Sequence, residues 1–184
     1  MVKMLIGLFF ITMELTIARG NMIIGLLPDF VGYFLLMMGL REIAHENDFF
    51  YKNIRFSFWV GAMSLMAYVM DLIGATMLGQ YQSLLMQLVL VVLEPICLLR
   101  VVRGVRQVEK DYEIDAKGKW MLAVWVVMTV LSVFALIVSG VPEISDLVGL
   151  ILSFVSLGFV ALFFNFRAVY TELMEELAPE AEEE

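Results

Sequence analysis

The 184-residue chain has one cysteine, one histidine and few charges. A lone cysteine, Cys97, excludes an intrachain disulfide and leaves the redox compartment unspecified. With His45 as the sole histidine, no zinc site of His and Cys ligands can be assembled within one chain. CxxC, P-loop, GxSxG, HExxH and GxGxxG signatures are all missing, which weighs against the familiar enzyme classes. Charged residues make up 17% and apolar residues 61% of the chain, against about 25% and roughly 45–50% in a soluble domain. Mean hydropathy is +0.89. One water-soluble core of this size cannot bury that excess. A soluble enzyme, an ordinary nucleic-acid binder and a disordered tail protein are thereby excluded, and an all-α integral membrane protein is expected.

Net charge is −8, from 12 Lys and Arg against 20 Asp and Glu. Seven of the acids fall in the last thirteen residues (Glu172, Glu175, Glu176, Glu180, Glu182, Glu183, Glu184), so the balance mostly reports an acidic tail over 171–184. The acidic balance argues against a phosphate-backbone partner, and no nucleic acid is expected.

A spanning helix needs about 20 mostly apolar residues. Six segments are read as spans: 5–18, 22–40, 56–78, 84–102, 120–139 and 147–166. They predict one polytopic helical bundle over 1–170, built as three hairpins over 3–41, 55–103 and 119–167. With both charged links and both termini on one side, that side carries Lys3, Arg41, Lys52, Arg55, Arg100, Arg103, Arg106, Lys110, Lys117, Lys119 and Arg167. The other side carries only Arg19. The cation-rich side is the cytoplasmic one, so both termini are expected there. The first span is short and crosses only if 22–27 is buried too. A cleaved signal sequence and an interfacial helix are its alternatives, and Glu14 counts against the signal sequence. Trp120 and Tyr112, and Phe49, Phe50 and Tyr51, fall near inner boundaries, where aromatic rings settle.

A tetrad recurs as Asp29-Phe30-Val31-Gly32, Asp71-Leu72-Ile73-Gly74 and Asp146-Leu147-Val148-Gly149. Pro28-Asp29 and Pro142-Glu143 both open a span, so the outer hairpins read as relatives and the middle one less so. Proline at a helix start forfeits no hydrogen bond, and a first-turn carboxylate faces the positive end of the helix dipole. Gly32 and Gly149 are expected to let a neighbouring helix approach. The stretch Gly25-Leu26-Leu27-Pro28-Asp29-Phe30-Val31-Gly32-Tyr33, followed by Gly39-Leu40-Arg41, resembles small uncharacterised multi-pass membrane proteins of clostridia and related Firmicutes. Those proteins open with an LLPDFIGY-like hairpin. The likeness covers about forty N-terminal residues; it implies a bacterial inner-membrane protein and transfers no activity.

Ionisable groups within lipid point to function. Glu14, Asp29, Asp71, Glu94 and Asp146 qualify as candidates for an ion, proton or substrate pathway. Four of them fall toward the outer boundary, where water is within reach. Glu94 lies about 9 Å of helix rise from Arg100, a depth that costs a charge about 2.5–3.5 kcal/mol. Pro95 follows it and removes the hydrogen bond to the carbonyl of residue 91. A carboxylate beside freed carbonyls suits a cation or proton site. The plainer reading is a protonated Glu94 bonded to a neighbouring helix, with Gln87, Asn165 or Arg167 as partners.

Arg19 reads as a boundary ion pair with Glu14, Asp29 or Asp146. Arg100, Arg103 and Arg106 form a basic stripe expected to touch anionic lipid. His45 reads as solvated, Cys97 as a small buried residue, and Met63, Met66 and Met70 as a packing face.

Three functions compete: a non-catalytic module for assembly, sensing or scaffolding; a small transporter or ion-conducting protein; and a membrane-embedded enzyme. The first is favoured by the missing catalytic constellation, and the second is the sharper alternative. No metal site and no cofactor is expected. The expected partners are the bilayer and a second copy or another membrane protein.

Overall fold

A computed structural model describes residues 1–13, 16–19, 22–25, 28–72, 80–138 and 140–177, with the backbone alone at 16–19, 22–25, 71–72, 80–88 and 142. The helices are α1 (Val2–Thr12), α2 (Asp29–Glu42), α3 (Asp48–Leu72), α4 (Gln80–Asp111), α5 (Gly118–Val138) and α6 (Pro142–Leu177). Between α1 and α2 an antiparallel ribbon pairs β1 (Thr16–Arg19) with β2 (Met22–Gly25), in the register Thr16↔Gly25. Each helix packs on the next, and α1 closes back on α6.

The ribbon corrects the first two predicted spans. Residues 5–18 are not one helix, because α1 ends at Thr12 and β1 begins at Thr16. Residues 22–40 are not one helix, because Met22–Gly25 is a strand and α2 begins at Asp29. Ile17, Ile23 and Ile24 are β-branched and favour extended backbone. Pro28 disfavours helix in the residue before it and leads directly into α2. At 11 and 14 residues, α1 and α2 rise about 16 and 21 Å, short of a roughly 30 Å hydrocarbon core.

Among the described residues two helices are long and apolar enough to cross a membrane, Gly118–Val138 and Glu143–Leu177. The remaining four, which were read as spans, do not meet that measure. A soluble protein's core helix can pass the same test, but it is covered by its own fold. Here only 11% and 22% of the apolar windows are buried. Val130, Ile137, Leu147, Leu150 and Phe154 are all more than half exposed. The pair therefore points to a membrane rather than to a soluble core. Helices α3 and α4 have 25 and 32 residues but are more polar. They meet through a polar seam: Asn53 Nδ2 donates to the Cys97 carbonyl at 3.1 Å, and Ser57 Oγ lies 3.3 Å from Cys97 Sγ. Cys97 is buried, as expected. Met66 and Met70 are exposed and Met63 half-buried, so the methionine stripe faces outward and is no packing face.

The charged links gather at one end of the bundle. Lys3 Nζ lies 2.8 Å from Glu42 Oε1, and the terminal amine meets the same carboxylate. Asn47 caps α3, accepting from the Phe50 N–H at 3.1 Å, and donates to the Gly104 carbonyl of α4 at 3.1 Å. Glu46 accepts from the hydroxyls of Tyr112 and Tyr170, which ties the α2–α3 link to the far ends of α4 and α6. His45 is exposed, with Nε2 3.0 Å from Glu46. Both the start of α1 and the end of α6 therefore sit at this end.

Hydrogen bonds from Lys3 and the terminal amine hold the Glu42 carboxyl below its usual range. A depressed carboxyl contributes stability above its unfolded pKa and loses it as pH falls through the folded one. Acid titration in detergent is expected to loosen the α1–α2 contact in that range, read as protease cleavage within α1. Glu42→Gln should flatten the profile.

Candidate functional site

A cavity of about 250 Å³ lies among α1, α4, α5 and α6. On α5 and α6 a polar residue recurs at helical spacing on one face. Helix α5 supplies Trp125, Thr129 and Ser132, and α6 supplies Ser145, Ser153 and Ser156. Helix α4 supplies Glu94 and Pro95, and Thr12 closes the wall from α1. The rest of the lining is apolar, as at Leu98, Met128 and Leu152.

The proline organises the α4 wall. Pro95 has no N–H to give to the carbonyl of Val91, and both residues line the cavity. The Pro95 carbonyl accepts the Trp125 indole N–H at 2.9 Å, which fixes α5 against the interrupted turn. A buried tryptophan needs such a partner for its N–H. Replacing Trp125 by Phe removes one hydrogen bond and is expected to cost about 1 kcal/mol, measured as a lower unfolding midpoint in detergent.

Three hydroxyls spend their protons on their own helices. Thr12 Oγ1 donates to the Leu8 carbonyl, Thr129 Oγ1 to that of Trp125 and Ser153 Oγ to that of Gly149, each at 2.9 Å. A hydroxyl bonded in this way presents only lone pairs to a ligand. Glu94, when ionised, also only accepts. Among the described lining residues there is no Lys, Arg or His. Three hydroxyls and one carboxylate therefore present acceptors to the cavity, beside the hydroxyls of Ser132, Ser145 and Ser156, an arrangement suited to a cation or a proton-donating solute.

Of the three candidate carboxylates whose side chains are described, only Glu94 lines the cavity. Asp29 opens α2, half-buried, and Asp146 lies exposed in the second turn of α6. The side chain of Asp71, the whole of Glu14 and the side chains of Arg19 and Gln87 lie outside the described residues. Asn165 and Arg167 are half-buried and do not line the cavity. Among the described residues no three His, Cys, Asp or Glu side chains come together as a metal site.

The tetrads are not equivalent in packing. Gly32 is buried against α1, where an added Cβ would sit 2.8 Å from the Gly7 carbonyl oxygen. At Gly149 an added Cβ would meet nothing within 4 Å. The expectation that Gly149 admits a neighbouring helix is therefore corrected: it faces outward, with one edge on the cavity. Pro28 and Pro142 do stand at helix starts, as expected.

The arginine stripe divides. Arg100 turns onto α3, its guanidinium 4.2 Å from the Phe56 ring centroid, while Arg103 and Arg106 are exposed. Trp125 and the hydroxyls were not singled out from the sequence. Their signal was the spacing 125, 129, 132 and 145, 153, 156, which sets polar stripes on otherwise apolar helices. No protein-family model, curated protein or solved structure matches the chain.

Proposed function

We propose that the chain is a multi-pass protein of a bacterial inner membrane that binds a small cation or proton-donating solute at Glu94 and passes it across the bilayer. The observation that carries this reading is the hydroxyl-lined cavity with one carboxylate and no basic residue among its described walls. Carriers build their sites in the same way, from a broken helix and an intramembrane carboxylate. Helices α5 and α6 are long and apolar enough to cross; α3 and α4 match them in length and pack beside them. The excess of Lys and Arg supports a cytoplasmic side for the charged end, where α1 starts and α6 ends. The clostridial likeness of the opening hairpin supports a bacterial inner membrane.

The test is flux of protons and monovalent cations into proteoliposomes. Flux above that of empty liposomes, lost in Glu94→Gln, is expected. Equal flux in empty and loaded liposomes overturns the transport reading. A solute that binds at Glu94 without crossing would instead assign the cavity to a sensing module.

A further inference from the structure

A second basin, of about 770 Å³, opens at the charged end between α4 and the start of α5. Its walls carry Arg103, Arg106 and Lys110 from α4 and Lys117 and Lys119 from the link and α5. These are five of the chain's 12 cations, on a protein of net charge −8. The basin holds two carboxylates, and both are engaged. Glu109 Oε1 accepts the Gly118 N–H at 2.7 Å, and Asp115 lies 2.7 Å from Lys117 Nζ. Among the described residues Arg103, Arg106, Lys110 and Lys119 form no ion pair. Five cations against these two carboxylates leave the cavity a net charge of +3.

Two aromatic residues fix what kind of anion fits. Phe49 and Trp120 share the rim, and Trp120 is 67% exposed at the first turn of an apolar helix that is itself turned outward. An amphipathic ring in that place settles at headgroup level. We infer that the basin is a phosphate site that takes the headgroup of an anionic phospholipid from the cytoplasmic leaflet. Arginine forks and lysine ammonium groups bind phosphate oxygens, while Trp120 and Phe49 lie against the glycerol and upper acyl chain. Arg100, stacked on Phe56, takes no part. The inference is independent of Glu94 but rests on the proposed membrane orientation.

The experiment reconstitutes the full chain in phosphatidylcholine vesicles doped with spin-labelled phosphatidylglycerol or, separately, spin-labelled phosphatidylcholine. The motionally restricted fraction of each is measured. Selective restriction of phosphatidylglycerol is expected. It should fall about fivefold for each cation removed in Arg106→Gln and Lys119→Gln, and stay unchanged in Arg55→Gln, a cation exposed elsewhere on α3. Loss of selectivity in Arg55→Gln equal to that in Arg106→Gln would assign the effect to diffuse surface charge and overturn the site. Inorganic phosphate at constant ionic strength should leave the selectivity intact. Displacement would assign the basin to a soluble phosphate and overturn the lipid. Restricted lipid without selectivity ends the basin alone. No restricted lipid of either kind ends the membrane orientation instead.

Discussion

Glu94→Gln is expected to weaken solute binding in the cavity by at least tenfold while leaving the bundle folded. The amide keeps the size and one acceptor but cannot carry the negative charge. Hydrogen bonds to a charged group contribute about 1.5–3 kcal/mol, so binding should weaken by roughly tenfold to a hundredfold. Trp125 lines the same cavity from α5, so its indole emission, in a Trp59→Phe, Trp120→Phe background, reads the titration directly. Unfolding in detergent separates this loss from misfolding. An ionisable group at this depth is a cost to insertion, so the variant should be as stable as the parent or more so. Unchanged binding in Glu94→Gln would remove the carboxylate from the site.

The second large effect lies at the α1–α2 seam. An alanine Cβ at Gly7 would fall 2.6 Å from both the Gly32 carbonyl oxygen and the Leu36 amide nitrogen, and one at Gly39 would fall 2.5 Å from the Met4 amide nitrogen. All three neighbours are backbone atoms, so no side chain can turn aside. Overpacking costs about 1–3 kcal/mol, and both substitutions should reach the upper part of that range, read as a lower unfolding midpoint. Gly149 and Gly158 face open space. Alanine there should be neutral or stabilise by up to about 1 kcal/mol, through helix propensity alone. Equal effects at Gly7 and Gly149 would contradict the close helix contact.

Apolar composition and cation placement were legible because they report bulk solvent preference. They gave the helical class, segments that overlap α3 to α6, of which α5 and α6 alone are long and apolar enough to cross among the described residues, and the charged end, where Lys3, Glu42, Asn47 and Glu46 now meet. The ribbon was not legible. Residues 5–18 and 22–40 are apolar whether helical or extended, and hydropathy does not distinguish the two. Only the β-branched isoleucines and Pro28 carried the difference. Glu94 was legible as a lone deep carboxylate beside a proline. Its hydroxyl neighbours were not, because Thr129, Ser132, Ser153 and Ser156 are tolerated anywhere in an apolar helix, and only the approach of α5 and α6 brings them together. Gly149 misled because a sequence tetrad does not say which face of a helix is covered.

The most direct measurement of the central claim, a wet carboxylate cavity inside a lipid-facing bundle, is cysteine labelling in native membranes. In a Cys97→Ala background, Ser132→Cys and Ser153→Cys line the cavity, whereas Val130→Cys and Ile137→Cys point outward, 61% and 73% exposed. A small water-soluble thiol reagent is expected to modify the first pair and spare the second. Rapid labelling at positions 130 and 137, with 132 and 153 protected, would contradict both the bilayer and the cavity.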